Sequence, residues 1–440
     1  MSNHSSQNRL GLLPKKCFYD DPRLGEIDQI IQEFNKFEVP FFEYQKNAKD
    51  IKYWDFVRYD IIHSICIEKG LYCNSKIHKK NILFKIPNTL KIFKDFFISL
   101  RNFLCINTNE ISFLSISGRK FNELFSHNDY KNNRTLFVGK DLSNYTNIIS
   151  KDSVERLINI ISNFVIFPKE VEIQSKNITK TINNSISTNI NIEKIIKEKY
   201  KRAKASVYFW EFIFNNFLKN IISIKFTNDN LQKSIVYLSH KSNIKICEIQ
   251  HAYMGKSHEG FSYPYLKKKP ITIPNDTILF FDSKDITYPS NLILNVNLEK
   301  QISQIKENLF IDLLIGSSPK TSSQIKNILE IINNLNLNIG LKLHPAENFS
   351  EIGLNESYNY KSFKIFNGKK DFSNIISKTK IYIPTTQNST TIFEAKKYNC
   401  KIIIFEPNGR KLSSMLDLVK PIYCYSSDSL KSLILQLLKK

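Results

Sequence analysis

Two polar runs in the second half of the chain carry residues that could grip a phosphate. Residues 342 to 347 read Lys-Leu-His-Pro-Ala-Glu, and residues 388 to 395 read Asn-Ser-Thr-Thr-Ile-Phe-Glu-Ala. Each run lies where an apolar, strand-like stretch meets a loop, and open α/β sheets bind ligands outside the carboxyl ends of their strands. This placement predicts the phosphate-binding edge of a nucleotide-binding domain, and hence an enzyme that uses an activated phosphorylated donor.

His344 directly follows the predicted strand Ile339 to Leu343, and Pro345 fixes the backbone just beyond it. A histidine there can donate a hydrogen bond to a phosphate oxygen or a leaving pyrophosphate, which stabilises charge developing in the transition state. Glu347 ends the same run, and we assign His344, Pro345 and Glu347 to the donor site. A capping or packing role for His344 is the alternative that position alone leaves open.

Ser389, Thr390 and Thr391 lie at the start of a predicted helix, whose exposed N–H groups and dipole attract anions. Their hydroxyls would add further donors. The alternative is an ordinary helix cap, with Glu394 as the capping-box partner of Thr391. In the donor interpretation Glu394 could instead hold the ribose hydroxyls of a nucleotide.

A second concentration of polar residues follows the predicted strand Lys245 to Ile249. The loop contains His251, His258, Glu259 and several tyrosines. An imidazole with a pKa near neutrality is suited to deprotonate an acceptor hydroxyl, and His251, at the strand end, is the first choice, with His258 and Glu259 in reserve. A packed aromatic loop with incidental histidines is the alternative.

Two further residues are candidates for contact with the acceptor or a phosphate. Arg119 follows the predicted strand Ile111 to Ile116, although a solvated turn explains it equally well. Tyr263 lies in the same loop as His258.

Several motifs are missing from the sequence. It has no G-x-x-x-x-G-K-[ST] phosphate loop, no G-x-G-x-x-G fingerprint, no H-E-x-x-H and no G-x-S-x-G. It also has no D-x-D in a strand-end setting. We therefore expect a metal-independent reaction without a cofactor.

Composition restricts the function classes. The chain has 440 residues and a formal net charge of +22, but its lysines are scattered among Ile, Asn and Phe rather than clustered. This pattern argues against a nucleic-acid partner and leaves attraction to phosphorylated substrates or to an anionic membrane surface. The seven cysteines form no C-x-x-C pair, which predicts a reducing compartment. Residues 1 to 9 lack the apolar core of a signal peptide, so we expect a cytoplasmic protein, soluble or peripherally bound to the inner membrane.

Strand-like and helix-like patterns alternate along most of the chain, which predicts parallel sheets built from βαβ units. In the first half we expect helices at 27–37, from 54 and at 192–218, an apolar helix at 90–106, and strands at 111–116, 135–138, 164–167, 222–226, 245–249 and 277–281. We also expect a mobile loop at 175–191 and a charged, helix-like boundary at 291–306. In the second half we expect strands at 309–315, 339–343, 381–384 and 401–406 alternating with helices at 322–335, 371–378, 390–398 and 427–440.

These motifs resemble those of bacterial capsule and lipopolysaccharide glycosyltransferases of the two-domain GT-B type. The likeness rests on Gln250-His251-Ala252, on His258 and Tyr263-Pro264, on the run at 342–347, on Ser389-Thr390 ahead of Glu394-Ala395, and on Trp54 to Asp60. Related sialyltransferases, Kdo transferases and teichoic-acid polymerases share the His-Pro and Ser/Thr elements. The resemblance implies that His344, Ser389 and Thr390 hold the donor's nucleotide phosphate. The chain departs from the pattern at Ala252, where glycine is usual, and His258-Glu259-Gly260 only partly matches the acidic triplet of many sialyltransferases.

The sequence thus predicts an α/β protein of the GT-B class, with two Rossmann-like, doubly wound domains facing a central cleft. We expect a helical lead-in at residues 1–60, an acceptor domain at 61–300 and a nucleotide-sugar donor domain at 301–440. The predicted function is inverting transfer from a nucleotide-sugar, either a CMP-linked acidic sugar or a UDP- or GDP-sugar, to a capsule or lipopolysaccharide glycan. A CDP-glycerol-type polyol-phosphate transferase and a non-catalytic sugar- or nucleotide-binding protein are the alternatives.

Overall fold

The computed structural model describes only part of the chain, and all that follows concerns that part. The described residues are 25–44, 51–72, 113–116, 135–139, 148–217, 221–224, 229–244, 246–249, 258–262, 270–274, 276–279, 291–295, 310–319, 321–345, 347, 360–367, 372–387 and 389–439.

The described strands of the first half form one parallel sheet. They are β1 (Phe113–Ile116), β2 (Thr135–Gly139), β3 (Ile148–Ser150), β4 (Ile221–Ile224), β5 (Ile246–Ile249), β6 (Asp276–Leu279) and β7 (Asn291–Asn295). Their order across the sheet is β3-β2-β1-β4-β5-β6-β7, with every neighbouring pair parallel. The order reverses between β1 and β4, and such a switch point is where doubly wound sheets bind ligands.

The helices of this half share one apolar core. They are α1 (Glu26–Tyr44), α2 (Tyr53–Glu68), α3 (Lys151–Phe164), α4 (Lys169–Ile186), α5 (Ile192–Phe217) and α6 (Asn230–Lys241). Both tryptophans of the chain, Trp54 and Trp210, are fully buried in this core, and Trp54 stacks on Phe34 with ring centroids 5.8 Å apart. Helix α6 begins where the carboxylate of Asp229 accepts the N–H of Gln232 at 2.9 Å, a conventional N-cap.

The second half also contains a parallel sheet. Its described strands are β8 (Ile311–Gly316), β9 (Asn338–Lys342), β10 (Ser362–Phe366), β11 (Thr379–Pro384), β12 (Lys401–Phe405) and β13 (Ile422–Cys424). The order is β10-β9-β8-β11-β12-β13, so the switch point lies between β8 and β11. The helices are α7 (Ser322–Ile332), α8 (Phe372–Ile376), α9 (Thr391–Lys397) and α10 (Ser427–Lys439), with a 3₁₀ turn at Ser414–Leu418.

Alternating side chains of this sheet bury two separate cores. Leu313 and Ile315 of β8 pack with residues of α7 and α10, whereas Leu314 packs with residues of α8 and α9. Because successive side chains of a strand point to opposite faces, helices must cover both faces of the sheet. The sheet is therefore doubly wound.

Helix α1 connects the two halves. The N–H groups of Glu26 and Ile27 donate to the carbonyls of Lys411 and Leu412 at 3.1 and 3.0 Å. The guanidinium of Arg410 binds both carboxylate oxygens of Glu26 at 2.8 Å. The start of α1 is thus held on the loop after β12, while Ile30, Ile31 and Phe34 of the helix pack in the first core.

The predicted fold class is confirmed, since both sheets have the parallel Rossmann-like order that a GT-B protein requires. Every helix and strand predicted for the second half is present within a few residues, and the sequence missed β10, β13 and the 3₁₀ turn. The helix predicted at 90–106 lies outside the described residues. The domain limits stay a prediction.

Three predictions for the first half are wrong. Of the strand expected at 164–167, Phe164 ends α3 and residues 165–167 form a short connection. Phe164 and Ile166 are 82% and 83% exposed. Residues 175–186 of the loop expected at 175–191 belong to helix α4, because Ile178, Ile182 and Ile186 recur at helical spacing and are all buried; residues 187–191 connect α4 to α5. Residues 291–295 of the expected helix-like boundary form strand β7, and residues 296–306 lie outside the described part.

Candidate functional site

The carboxyl ends of β8 and β11 meet at the switch point of the second sheet. Thr385 directly follows β11, and both its N–H and its hydroxyl donate to the carbonyl of Gly316 at 2.9 Å. The hydroxyl of Thr321, in the loop after β8, lies 2.8 Å from that of Thr385. Two hydroxyl-bearing loops are therefore joined at the point where this fold binds ligands.

His344 follows β9, the strand next to β8, and is hydrogen-bonded to the loop that follows β8. Its backbone N–H donates to the Oγ of Ser317 at 2.8 Å and to Oε2 of Glu347 at 3.2 Å. The Ser317 hydroxyl in turn donates to the Glu347 carboxylate. Glu347, predicted to contact the donor, thus orients the loop that carries His344 and Pro345.

The electrostatics of this edge suit an anion. The Lys342 side chain, at the end of β9, is largely buried and donates to the carbonyl of Leu343 at 3.0 Å. Partial burial lowers the pKa of His344; Glu347 opposes this shift and Lys342 adds to it. The imidazole is therefore neutral at pH 7 and can donate one ring N–H, beside a lysine that supplies positive charge.

The Ser389 to Thr391 segment forms a second group of hydroxyls. The Oγ1 of Thr391 lies 2.5 Å from both the Ser389 hydroxyl and the hydroxyl of Tyr382 in β11. Burial raises the pKa of Tyr382 above its usual range, although its bonds to Thr391 and Ser389 oppose the shift. Tyr382 therefore stays a neutral phenol and fixes this segment against the sheet.

The capping box considered for this segment is wrong. Thr390 occupies the N-cap position of helix α9, which begins at Thr391, but its side chain makes no capping hydrogen bond. The Glu394 carboxylate accepts a hydrogen bond from Ser373 at the start of α8 rather than from the backbone near Thr391. The hydroxyls of Ser389 and Thr391 are thus arranged by Tyr382, not by a cap.

Gln387 connects this segment to the loop after β12. Its side chain donates to the carbonyl of Arg410 at 2.8 Å and to Glu406 at 3.2 Å, and it accepts the N–H of Leu412 at 3.0 Å. This is the loop on which helix α1 is held, so the donor edge and α1 share one support.

In the first half, His258 and Glu259 lie in a turn that follows β5 in the chain. Arg58 of α2 holds this turn through the backbone carbonyls of the turn. The fully buried guanidinium donates to the carbonyls of Glu259 and of Ser262, the latter at 2.7 Å. It also binds Glu38 and Asn35 of α1. The turn is therefore fixed by two helices far from it in sequence.

The side chains of this turn meet a histidine that the sequence analysis did not select. His63 of α2 places Nδ1 3.4 Å from Oε1 of Glu259. Burial alone would raise the pKa of Glu259, but the bonds from His63 and Tyr72 and the charge of His258 outweigh it and lower the pKa. Glu259 is therefore ionised at pH 7.

His258 is oriented differently. Its Nδ1 accepts the N–H of Gly260 at 3.0 Å, so the neutral ring carries its proton on Nε2. Burial lowers the pKa of His258, although Glu259 opposes the shift. His258 is thus a hydrogen-bond donor at its Nε2 edge.

His251, Tyr263 and Arg119 lie outside the described residues, so their roles remain predictions. Six residues of these two sites were not predicted from the sequence: Ser317, Thr321, Thr385, Tyr382, Arg58 and His63. The first three follow predicted strands and could have been found by examining every strand end rather than only those with a histidine. Arg58 lies in the Trp54 to Asp60 run that contributes to the resemblance, but it was not selected as a site residue, and no local pattern marks His63.

No protein-family model matches the sequence, and no similar protein is found among curated ones. The solved structures to which the chain is similar include three that each cover 75% of it. They are the glycotransferase of kitacinnamycin (8% identity, 90% of that chain, TM-score 0.42), the calicheamicin glycosyltransferase CalG4 (9%, 90%, 0.39) and a putative UDP-N-acetylglucosamine 2-epimerase from Listeria monocytogenes (9%, 88%, 0.40). The fold assignment rests on the strand order described above and not on these similarities. Among the helices of the described residues, none is long and apolar enough to cross a membrane.

Proposed function

We propose that the protein is a glycosyltransferase that transfers a sugar from a nucleotide-sugar donor to a glycan acceptor. The observation that carries the proposal is the convergence of Ser317, His344 and Thr385 at the switch point of the second sheet. Doubly wound sheets bind nucleotides at such points.

The donor's phosphates would lie at this edge. A ring N–H of His344 and the Ser389 hydroxyl are suitable donors to phosphate oxygens, and Lys342 supplies a nearby positive charge. Ser317 and Thr385, whose hydroxyls donate to Glu347 and to the carbonyl of Gly316, would hold this edge in place. As the sugar leaves, charge grows on the nucleotide phosphate, so these groups would stabilise the transition state more than the bound donor. The reaction would need no metal for this purpose.

The acceptor hydroxyl would be deprotonated beside the turn after β5. His251, His258 and Glu259 are the sequence candidates for the base, and Arg119 and Tyr263 for contact with the acceptor. Attack by the acceptor on the face opposite the departing nucleotide would invert the anomeric centre. A capsule or lipopolysaccharide glycan is the acceptor that the sequence motifs favour, and the net charge of +22 is compatible with work at the cytoplasmic face of an anionic membrane.

The proposal is tested by a panel of CMP-, CDP-, UDP- and GDP-linked donors, with thermal stabilisation and donor turnover as readouts. We expect one nucleotide-sugar to stabilise the protein and to be consumed when an acceptor glycan is added. Stabilisation by CDP-glycerol alone would contradict sugar transfer, and stabilisation by none of them would favour a non-catalytic binding protein. Full transfer activity in both His344→Ala and His251→Ala would contradict the mechanism.

A further inference from the structure

His63 forms a couple with Glu259 in which only the histidine reaches solvent. The His63 side chain is 39% exposed, whereas that of Glu259 is 6% exposed. The imidazole stacks on Tyr59 at 5.5 Å and on Tyr72 at 4.9 Å between ring centroids, with interplanar angles of 14° and 29°. The two tyrosines therefore fix the plane of the ring while part of the side chain stays accessible.

Glu259 can orient this ring but is poorly placed to reach a substrate. Its carbonyl is held by Arg58, and its carboxylate faces His63, His258 and Tyr72. An ionised carboxylate beside Nδ1 favours the tautomer with its proton on Nδ1, which leaves the lone pair on Nε2. This is the arrangement by which a carboxylate prepares a histidine to accept a proton.

His258, on the other side of Glu259, cannot take the same role in this geometry. Its Nδ1 already accepts the N–H of Gly260, so its Nε2 carries a proton. The two histidines beside one carboxylate therefore offer opposite functions, a lone pair at His63 and an N–H at His258.

Helix α2, which carries His63, contacts the first turns of α6, the helix that follows the carboxyl end of β4: the Lys233 ammonium donates to the carbonyl of Phe56 at 3.1 Å. The turn at 258–262 belongs to the connection that leaves the carboxyl end of β5, and β5 neighbours β4, which borders the switch point of the first sheet. Ligands of such sheets bind outside the carboxyl ends of the strands.

We propose that His63 is the general base that deprotonates the acceptor hydroxyl, with Glu259 as its positioning residue. This inference rests on the proposed function and replaces His251 as the base. The acceptor O–H gives its proton to Nε2 of His63, and the acceptor oxygen bonds to the anomeric carbon. The bond from that carbon to the phosphate oxygen breaks, and its electron pair leaves with the nucleotide. The imidazolium is stabilised by Glu259 and then releases its proton to water.

The test uses the full chain with the donor found active in the panel and compares His63→Gln, His63→Ala, Glu259→Gln and His251→Gln. For His63→Gln we expect kcat to fall about 10²- to 10⁴-fold, with the KM for the donor and stabilisation by the nucleotide unchanged. Added imidazole should restore part of the activity of His63→Ala, which a purely structural loss would not allow. Glu259→Gln should lower kcat without rescue by imidazole. His240→Gln, whose ring contacts the carbonyl of Ile273 away from this couple, is the control and should behave as the wild type.

Two outcomes would overturn the inference while leaving the proposed function intact. One is a His63→Gln variant that keeps its kcat within a few-fold of the wild type. The other is a His63→Ala variant that imidazole does not rescue, together with a His251→Gln variant that has lost turnover. A wild-type protein that turns over none of the donors would contradict the proposed function itself and this inference with it.

Discussion

Gly316 lies so close to Tyr382 that a Cβ at its position would be 2.2 Å from the tyrosine hydroxyl oxygen and 2.8 Å from the ring. The two residues belong to neighbouring strands that flank the switch point. The Tyr382 hydroxyl contacts the Thr391 hydroxyl, which in turn contacts that of Ser389. Because Gly316 has no side chain, the Tyr382 hydroxyl can occupy the position from which it orders the other two.

Gly316→Ala should therefore destabilise the second sheet by about 1–3 kcal/mol, because the tyrosine ring must shift in a packed core. Both tryptophans lie in the first core, so fluorescence would miss this change, and hydrogen exchange of the β8 and β11 amides is the suitable measurement. Gly340→Ala is the comparison: its added carbon would lie 2.8 Å from the end of the Leu314 side chain and 3.0 Å from the Phe366 ring, farther than the 2.2 Å at Gly316, and should cost less. Equal protection in Gly316→Ala and the wild type would show that Tyr382 does not constrain this edge.

Arg58 should be among the most sensitive positions of the first half. It is fully buried and binds Glu38, Asn35 and the carbonyls of Glu259 and Ser262. Arg58→Met would leave the Glu38 carboxylate buried without its cation and should cost about 3–5 kcal/mol. Urea unfolding followed by tryptophan fluorescence reports this core directly.

The matched comparison is the double variant Arg58→Met/Glu38→Gln, which removes the stranded charge and keeps the acceptor for the N–H of Trp54. It should recover part of the loss. A single Arg58→Met variant that loses less than about 1 kcal/mol would contradict the assigned network.

Asp55 predicts a pH dependence of stability. Burial raises the pKa of Asp55 to about 7, although Lys233 and the N–H of Ile271 oppose the shift. Between about pH 4 and pH 7 the folded protein holds a proton that the unfolded chain has released, so this group lowers stability as pH rises through that window. Asp55→Asn should flatten the slope, by up to about 1.4 kcal/mol per pH unit, and be more stable than the wild type at pH 8. Identical slopes in the two proteins would contradict the buried, protonated state of Asp55.

The contact between α1 and the second half of the chain depends on the lack of a side chain at Gly25. A Cβ on Gly25 would lie 2.4 Å from the backbone nitrogen of Ser413, and a backbone atom cannot easily yield. Gly25→Ala should therefore speed hydrogen exchange at Glu26 and Ile27, whose N–H groups donate to the carbonyls of Lys411 and Leu412, and at Ser414, whose N–H donates to the Asp28 carboxylate of α1 at 2.7 Å. Gly409 lies in the same loop at a φ of +67°, and a Cβ there would have no atom within 4 Å. The backbone strain of Gly409→Ala therefore stays local, and α1 should remain protected from hydrogen exchange. Unchanged exchange in Gly25→Ala would mean that α1 is not held on this loop.

The second sheet was predictable because its strands are short apolar runs, as at 401–405, each followed by a helical pattern. Strand β10 was missed since Ser362-Phe-Lys-Ile-Phe366 is only partly buried, and β13 has only three residues. Helix α4 was missed because its many Asn, Ser and Thr residues obscured an isoleucine at every fourth position. Period rather than composition was the reliable signal there.

The site was predictable where one strand end carries its own marker, as with His344 and Pro345. The contact of Ser317 with His344 depends on the order of the parallel strands, which the sequence does not display. The same holds for the approach of His63 to Glu259, 196 residues apart in the chain. Such pairs are brought together by tertiary packing alone.

The most direct test of the account is isothermal titration of the protein with the nucleotide of its active donor, in the wild type and in edge variants. We expect Ser317→Ala and His344→Ala each to weaken binding about tenfold, which corresponds to about 1.4 kcal/mol. Ser362→Ala removes a hydroxyl at the opposite, amino end of a strand in the same sheet, where it contacts Asn338, and should bind as the wild type does. Equal affinity in all four proteins would contradict a nucleotide site at the carboxyl ends of β8 and β9.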